Sequence, residues 1–331
     1  MATIFLTHPE EARRLYYGDK ALAGLRALGE VRLNEAGREL STPELIAAAR
    51  DCDLIVSYRQ TPGQAALFAG LPNLVAFSRC AIDIRNVDVP AASAQGILVT
   101  QASAGFIPSV SEWVIGAMVD LCRGISAATE AYHAGQVPHA PMGRELRGAT
   151  LGVIGYGQIS RYLGPLAQAF GMRVLVYDPY VTSVPEGMAR VDLPQLLAES
   201  DHVVCLAVAT AETENLMNAQ AFARMKPGAF FINPSRGNLV DEAALLQALE
   251  SGHLAGAALD VGRDPDQMPT PALARHPKVI ATPHVGGLTP QAIEHQALET
   301  VAQAAEILQG RAPKGAVNTA QATRLARLRG T

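Results

Sequence analysis

Short runs rich in β-branched and apolar residues recur along the chain, separated by segments whose apolar residues fall three and four apart. "TIFLT", "DLIVSY", "NLVAFS" and "GILVTQ" occupy the first hundred residues, and "TLGVIGYG", "RVLVYD", "HVVCLAV", "GAFFINPS", "LAGAALDV" and "KVIATPH" form a second series. Strand-sized runs alternating with helical segments predict βα units and parallel sheets. Ser41 with Glu44 three residues on has the spacing of a capping box and predicts a helix start there. "IPSVSEWVIGAMVDLCRG" reads as a longer amphipathic helix, and a polar stretch from His133 to Arg147 leads into the second series. Six runs in that series predict a doubly wound sheet. A last helix, "TPQAIEHQALETVAQAAEILQG", is expected to pack back on the first half.

A chain of 331 residues, about half of them apolar, is long enough for two domains. The net charge of −4, with no basic cluster before Arg324, Arg327 and Arg329, argues against a nucleic-acid or anionic-membrane surface and favours a small-molecule partner. No basic leader or membrane-length apolar run is visible, which predicts a soluble, unexported, cytoplasmic protein. Cys52, Cys80, Cys122 and Cys205 lie far apart without C-x-x-C spacing, so they are expected to be reduced core residues, with no metal site.

Candidate chemistry begins at "TLGVIGYGQIS". Gly155 permits a tight turn and Gly157 lets a pyrophosphate approach the backbone N–H groups that open a helix, with Tyr156, Gln158 and Ile159 beside them and Ser160 in the third glycine's place. Asp178 ends the next run about 20 residues on, where a carboxylate accepts the ribose hydroxyls of NAD. Pro179 and Tyr180 follow it rather than arginine, favouring NAD over NADP. Arg236 follows "FFINPS" and is suited to holding a carboxylate with two parallel hydrogen bonds. His284 follows "KVIATP", where an imidazole can deliver a proton to a ketone oxygen as hydride arrives.

Together "LGVIGYGQIS", "YDP", "MKPGAFFINPSRGNLVDEAALLQALESGHLAGAALDV" and "TPHVGGLT" resemble the D-2-hydroxyacid dehydrogenase family, most specifically over residues 146–290. The resemblance implies an α/β fold of two flavodoxin- or Rossmann-like, doubly wound parallel-sheet domains with a cofactor crevice between them. It implies a substrate domain of residues 1–100 plus 290–331 and an NAD-binding domain of residues 101–289. It also implies a homodimer and reversible hydride transfer between NAD and a small 2-keto or D-2-hydroxy acid. The catalytic arginine and histidine match Arg236 and His284, and Asp260 matches the acid that contacts the nicotinamide carboxamide. Val208, Thr213 and Ser235 complete the implied cofactor wall.

Three departures from the family pattern leave questions open. The histidine's glutamate partner, from the pattern D-V-F-x-x-E-P-L-P, is absent from "DVGRDPDQMP". Asp266 is the preferred substitute because Met268 and Pro269 then fall on the pattern's last two residues, while Asp264, or neither, stays open. The glycine-rich substrate loop reads "RCAIDIRNVD", so backbone N–H groups around Cys80 and Ala81 are expected to bind the substrate carboxylate. Arg59 and Arg79 then suit a second anionic group. Leu206 and Val208 replace the pattern H-x-P and make the adenine wall more apolar. An NAD-sensing corepressor-like protein, or a dehydrogenase of formate or phosphite, are the alternative readings.

Overall fold

The computed structural model describes residues 2–140 and 142–328. Arg329 lies outside them. The chain forms two compact units, Met1–Gly105 with Pro290–Thr331, and Phe106–Thr289.

The first unit is a five-stranded parallel sheet of β1 (Thr3–Leu6), β2 (Glu30–Leu33), β3 (Leu54–Ser57), β4 (Ala76–Arg79) and β5 (Leu98–Gln101), in the order β2-β1-β3-β4-β5. β1, β3 and β4 are buried throughout, which explains the largely apolar sequence of β1 and β3, while β4 also buries Ser78 and Arg79. β2 went unread in the sequence because "EVRL" is an edge strand whose charged residues, Glu30 and Arg32, pair with each other at 3.0 Å. The expected capping box forms, with Ser41 N–H donating to Glu44 at 2.9 Å.

The last helix, Pro290–Ile307, belongs to this first unit and buries Ala297, Ala304 and Ile307 in its core. Gln303 fixes its register. The Gln303 Oε1 accepts from Ser78 (3.1 Å) and Thr100 (2.8 Å), while its Nε2 donates to the carbonyls of Gln101 (2.9 Å) and Lys314 (3.1 Å). A buried amide with every position used ties the helix to β4 and β5. Asn318 extends the tie by accepting from Val99 N–H and donating to Ile97 O and Ser93.

The second unit holds seven parallel strands: β6 (Thr150–Ile154), β7 (Arg173–Tyr177), β8 (Met188–Arg190), β9 (His202–Cys205), β10 (Phe230–Asn233), β11 (Gly256–Leu259) and β12 (Val279–Ala281). Their order is β12-β11-β10-β9-β6-β7-β8, so the chain starts in the middle and reverses direction between β6 and β9. The predicted parallel, doubly wound architecture is therefore present in both units. The three-residue edge strand β8 is the one addition to the six runs read from the sequence. The helix Ile107–Arg123 covers one face with Val114, Ala117, Met118 and Cys122.

All four cysteines are free and buried, and burial pushes the thiols of Cys80 and Cys205 up to about 12. Among the described residues no helix is long and apolar enough to cross a membrane, and no cluster of acidic, histidine or cysteine side chains could hold a metal.

Two histidines are core residues. His202 is buried in β9, stacked on Phe230 at 5.2 Å with its Nε2 3.6 Å from Cys122 Sγ. His8, just past β1, packs between Tyr17 and Tyr58 at 5.0 Å from each ring. Burial, aided by Arg13 and Arg79, pushes His8 down to about 3, and burial pushes His202 down to about 4. Above the ordinary 6.5 both states are neutral, whereas below it the unfolded chain takes up protons that the folded chain refuses. Stability should therefore fall as pH drops from 6.5 toward 4, by roughly 1.4 kcal/mol per pH unit for each histidine. Urea unfolding at pH 7 and pH 5 checks this, and equal stability at both would refute it; His202→Phe should shrink the difference.

Candidate active site

Every candidate residue of the second unit lies at the carboxyl edge of its sheet, where open α/β sheets bind ligands. β6 ends at Ile154 and turns through Gly155, whose φ of +91° favours glycine. A Cβ there would stand 2.8 Å from the backbone of Ala207. Gly157 differs: its φ is ordinary and a Cβ would meet nothing within 4 Å. Protein packing does not demand glycine at 157, whereas close approach by a ligand to the start of the helix Gln158–Ala169 would. The N–H groups of Gln158 and Ile159 open that helix and have no carbonyl within it to meet. Ser160, in the third glycine's place, is buried and donates to Gly155 O at 2.6 Å.

Asp178 follows β7 and accepts from the N–H groups of Tyr156 and Tyr180, each at 2.8 Å. Tyr156, placed beside the glycines by the sequence, commits its N–H to Asp178, and its ring is buried. Each Asp178 oxygen still has capacity to accept a hydroxyl. These residues fit a dinucleotide, with pyrophosphate at the start of the helix and ribose at Asp178. Thr213 closes the loop after β9 by donating to Val208 O at 2.7 Å, leaving the Val208 side chain 77% exposed. Ser235 donates to Ala207 O at 3.0 Å.

Asn233, the last residue of β10, shapes the Arg236 turn. Its Oδ1 accepts from Ser235 N–H (3.1 Å) and its Nδ2 donates to Arg236 O (2.9 Å). The sequence reading passed over Asn233, although an asparagine two residues before a backbone N–H at a strand end is an Asx-turn signal. Arg236 is half-buried and donates from Nη1 to Ser235 O at 2.7 Å.

Asp260, directly after β11, is 2% exposed and organises the loop after β12. Its Oδ1 accepts from Thr282 Oγ1 (2.6 Å) and Val285 N–H (2.8 Å), and its Oδ2 from Gly286 N–H (2.8 Å). Its carbonyl accepts from His284 N–H at 3.0 Å. Three of the roughly four acceptor positions of the carboxylate are thereby filled by its own chain. His284 sits in this loop with φ of 55°.

The partner of His284 differs from the expected one. The imidazole Nδ1 lies 3.2 Å from the main-chain carbonyl of Asp266, not from its carboxylate. Among the described residues His284 forms no ion pair, and Asp264 contributes its N–H to Met268 O at 3.1 Å. The physical reason is local conformation: Asp266 has φ of 59°, which turns its carbonyl toward the imidazole.

The first unit places its candidates at the ends of β3 and β4. Arg79 was expected to offer its cation to a substrate anion, but it is 0% exposed. Its Nη1 donates to Tyr58 O, its Nη2 donates to Asn86 Oδ1, and its guanidinium lies over the Phe77 ring. It is a framework cation, and burial lowers it to about 10. Cys80 N–H is also committed, donating to Ser57 O at 3.0 Å, so Ala81 is the first backbone donor past the strand. Arg59 is exposed, with its guanidinium 6.0 Å from the Tyr16 ring centroid.

Residues 115–286 match the family model described as D-isomer specific 2-hydroxyacid dehydrogenase, NAD binding domain. The chain is 33% identical over 299 residues to a D-3-phosphoglycerate dehydrogenase of Synechocystis sp., covering 89% of this chain and 54% of that protein. It is 36% identical over 262 residues to an (S)-sulfolactate dehydrogenase of Chromohalobacter salexigens, covering 78% of this chain and 85% of that one. In fold it is similar to a D-lactate dehydrogenase of Lactobacillus jensenii solved with NAD+, with a TM-score of 0.82, 24% identity, and coverage of 95% and 99%. The chain spans about half the length of the phosphoglycerate dehydrogenases it matches.

The two glycines give separable outcomes. Gly157→Ala should fold with an unchanged melting temperature yet bind NADH at least about 10-fold more weakly, because the added methyl meets only the ligand. Gly155→Ala should lose both stability and binding. Calorimetric melting with NADH titration checks this, and unchanged NADH affinity in Gly157→Ala would contradict it.

Proposed function

Because the chain belongs to the D-isomer specific 2-hydroxyacid dehydrogenase family, with an NAD-binding second unit, we propose that it interconverts a small 2-keto acid and its D-2-hydroxy acid. The observation that carries this reading is the convergence of Arg236, His284, Asp260 and the Gly155 turn on one edge of a single sheet. NAD, when bound, supplies the hydride acceptor and donor.

In the reducing direction the Arg236 guanidinium clamps the substrate carboxylate. His284 gives its Nε2 proton to the carbonyl oxygen as hydride reaches C2, and ends neutral with its remaining proton on Nδ1. Asp260 takes no proton; it holds the loop that sets the imidazole's position. We further propose Ala81 N–H and the exposed Arg59 as substrate-binding groups. A second anionic group on the substrate suits Arg59, and two relatives are named for phosphoglycerate and sulfolactate, each of which carries one.

The partner is a second copy of the chain. Support comes from the helix Ile125–His133, which buries no residue against its own chain, and from exposed Ile125, Tyr132, Val137 and Met142, the last at 98%. So short a helix is marginal in water without a packed face. Four free thiols suit a reducing, cytoplasmic compartment.

NADH oxidation at neutral pH against monoanionic and dianionic 2-keto acids tests the activity. We expect turnover of a dianionic member, a loss of roughly 100-fold or more in kcat for His284→Ala, and a raised KM for the dianionic substrate in Arg59→Ala. Tight NADH binding with no turnover of any member would overturn the reading in favour of an NAD sensor.

Light scattering should give about twice the 34.9 kDa chain mass, falling to one chain when Val137 and Met142 are both replaced by aspartate. A monomeric native protein would remove the dimer.

A further inference from the structure

Among the described residues only Asn215, Asp266, Gln267 and His284 hold positive φ without being glycine. Three of these four meet at one point of the second unit. A left-handed backbone is strained for a non-glycine residue, and such outliers persist where surrounding structure over-determines them. The loop after β11 supplies that determination.

Gln267 is the residue on which three strand-end loops converge. Its carbonyl accepts from Gly262 N–H at 2.8 Å, within the loop after β11. Its side-chain Oε1 faces Gly237 N–H at 3.3 Å, the residue after Arg236 in the loop following β10. Its neighbour Asp266 presents a carbonyl to His284 in the loop after β12. The Arg236 and Asp266 loops touch backbone to backbone, since a Cβ on Gly237 would stand 2.0 Å from Gly262 O. Arg263 anchors the same loop from outside, donating to Val240 O and pairing with Glu214 at 2.8 Å.

A carbonyl oxygen can only accept, so the contact requires the proton on Nδ1 and leaves Nε2 as the nitrogen that exchanges a proton. We propose that Gln267 is the positioning residue of this site. Its left-handed backbone and its amide on Gly237 present the Asp266 carbonyl, so that a neutral main-chain group rather than a carboxylate fixes the His284 tautomer. The same side chain ties the distance between His284 and Arg236 to one short loop. This inference rests on the reading of His284 as the acid/base group.

The test reads the imidazole directly. In uniformly 15N-labelled full-length protein, long-range proton–nitrogen spectra, with the His284 ring assigned by its disappearance in His284→Ala, should show the Nδ1–H tautomer at pH 8. Asp266→Asn keeps the carbonyl and should keep that signature. Gln267→Ala should lose it to tautomer exchange and lower kcat about 10-fold, with KM changed less than about 2-fold. Gln267→Glu, which retains an acceptor for Gly237 N–H, should restore both. Loss of the signature in Asp266→Asn, or its survival in Gln267→Ala, overturns the proposal. A wild type that shows the signature but turns over no keto acid instead removes the activity reading and leaves the positioning geometry standing.

Discussion

The carboxylate of Asp260 is enclosed at the end of β11 with three donors from a single loop around it. A buried carboxylate is tolerable only when its lone pairs are met, and the groups that meet it are Thr282, Val285 and Gly286. The loop after β12 therefore has no freedom to wander. His284 is held between Thr282 and Val285, and its own N–H is bound to the Asp260 carbonyl. The ring carrying the proposed chemistry owes its position to a charge that takes no part in proton transfer. The group proposed to move a proton is thus oriented by fixed groups around it.

What the sequence disclosed, and what it hid, follows from where information is stored. The parallel sheets were legible because buried strands need apolar side chains. The edge strands β2 and β8 were not, since a short edge with one covered face tolerates glutamate, methionine and arginine. The strand-end placement of Gly155, Arg236 and His284 was legible because glycine, arginine and histidine each appeared at a switch from apolar run to turn. The contact at Asp266 was hidden. Sequence names the carboxylate, while the structure uses the carbonyl, which every residue possesses, and the left-handed backbone conformation at Asp266 decides where it points. Arg79 misled for the complementary reason: a guanidinium suggests a ligand, yet Tyr58 O and Asn86 Oδ1 answer it from within the fold.

At the strand ends of the first unit polar groups are buried in numbers, and some of them bond to one another while His8, the Ser57 hydroxyl and the Arg79 Nε are buried without a hydrogen-bond partner. Thr7 bonds to Thr61 at 2.7 Å, Thr61 to Glu39 at 2.7 Å, and Tyr58 N–H to Thr7 at 2.9 Å. Burial raises Glu39, and Arg79 opposes that rise. His8 is held neutral here and Arg79 stays cationic, since burial lowers His8 to about 3 and Arg79 only to about 10. A polar floor of this kind costs desolvation in folding, in part because not every group in it is met.

Gln303 has a consequence for the order in which the chain acquires its structure. Its partners Ser78, Thr100 and Gln101 lie some two hundred residues earlier, and Asn318 reaches back equally far to Val99. The second unit, by contrast, is one uninterrupted segment. On a ribosome that segment is complete while β4 and β5 still wait for the helix that will cover them. The covering of β4 and β5 by this helix can therefore be completed only after the inserted unit has been synthesised.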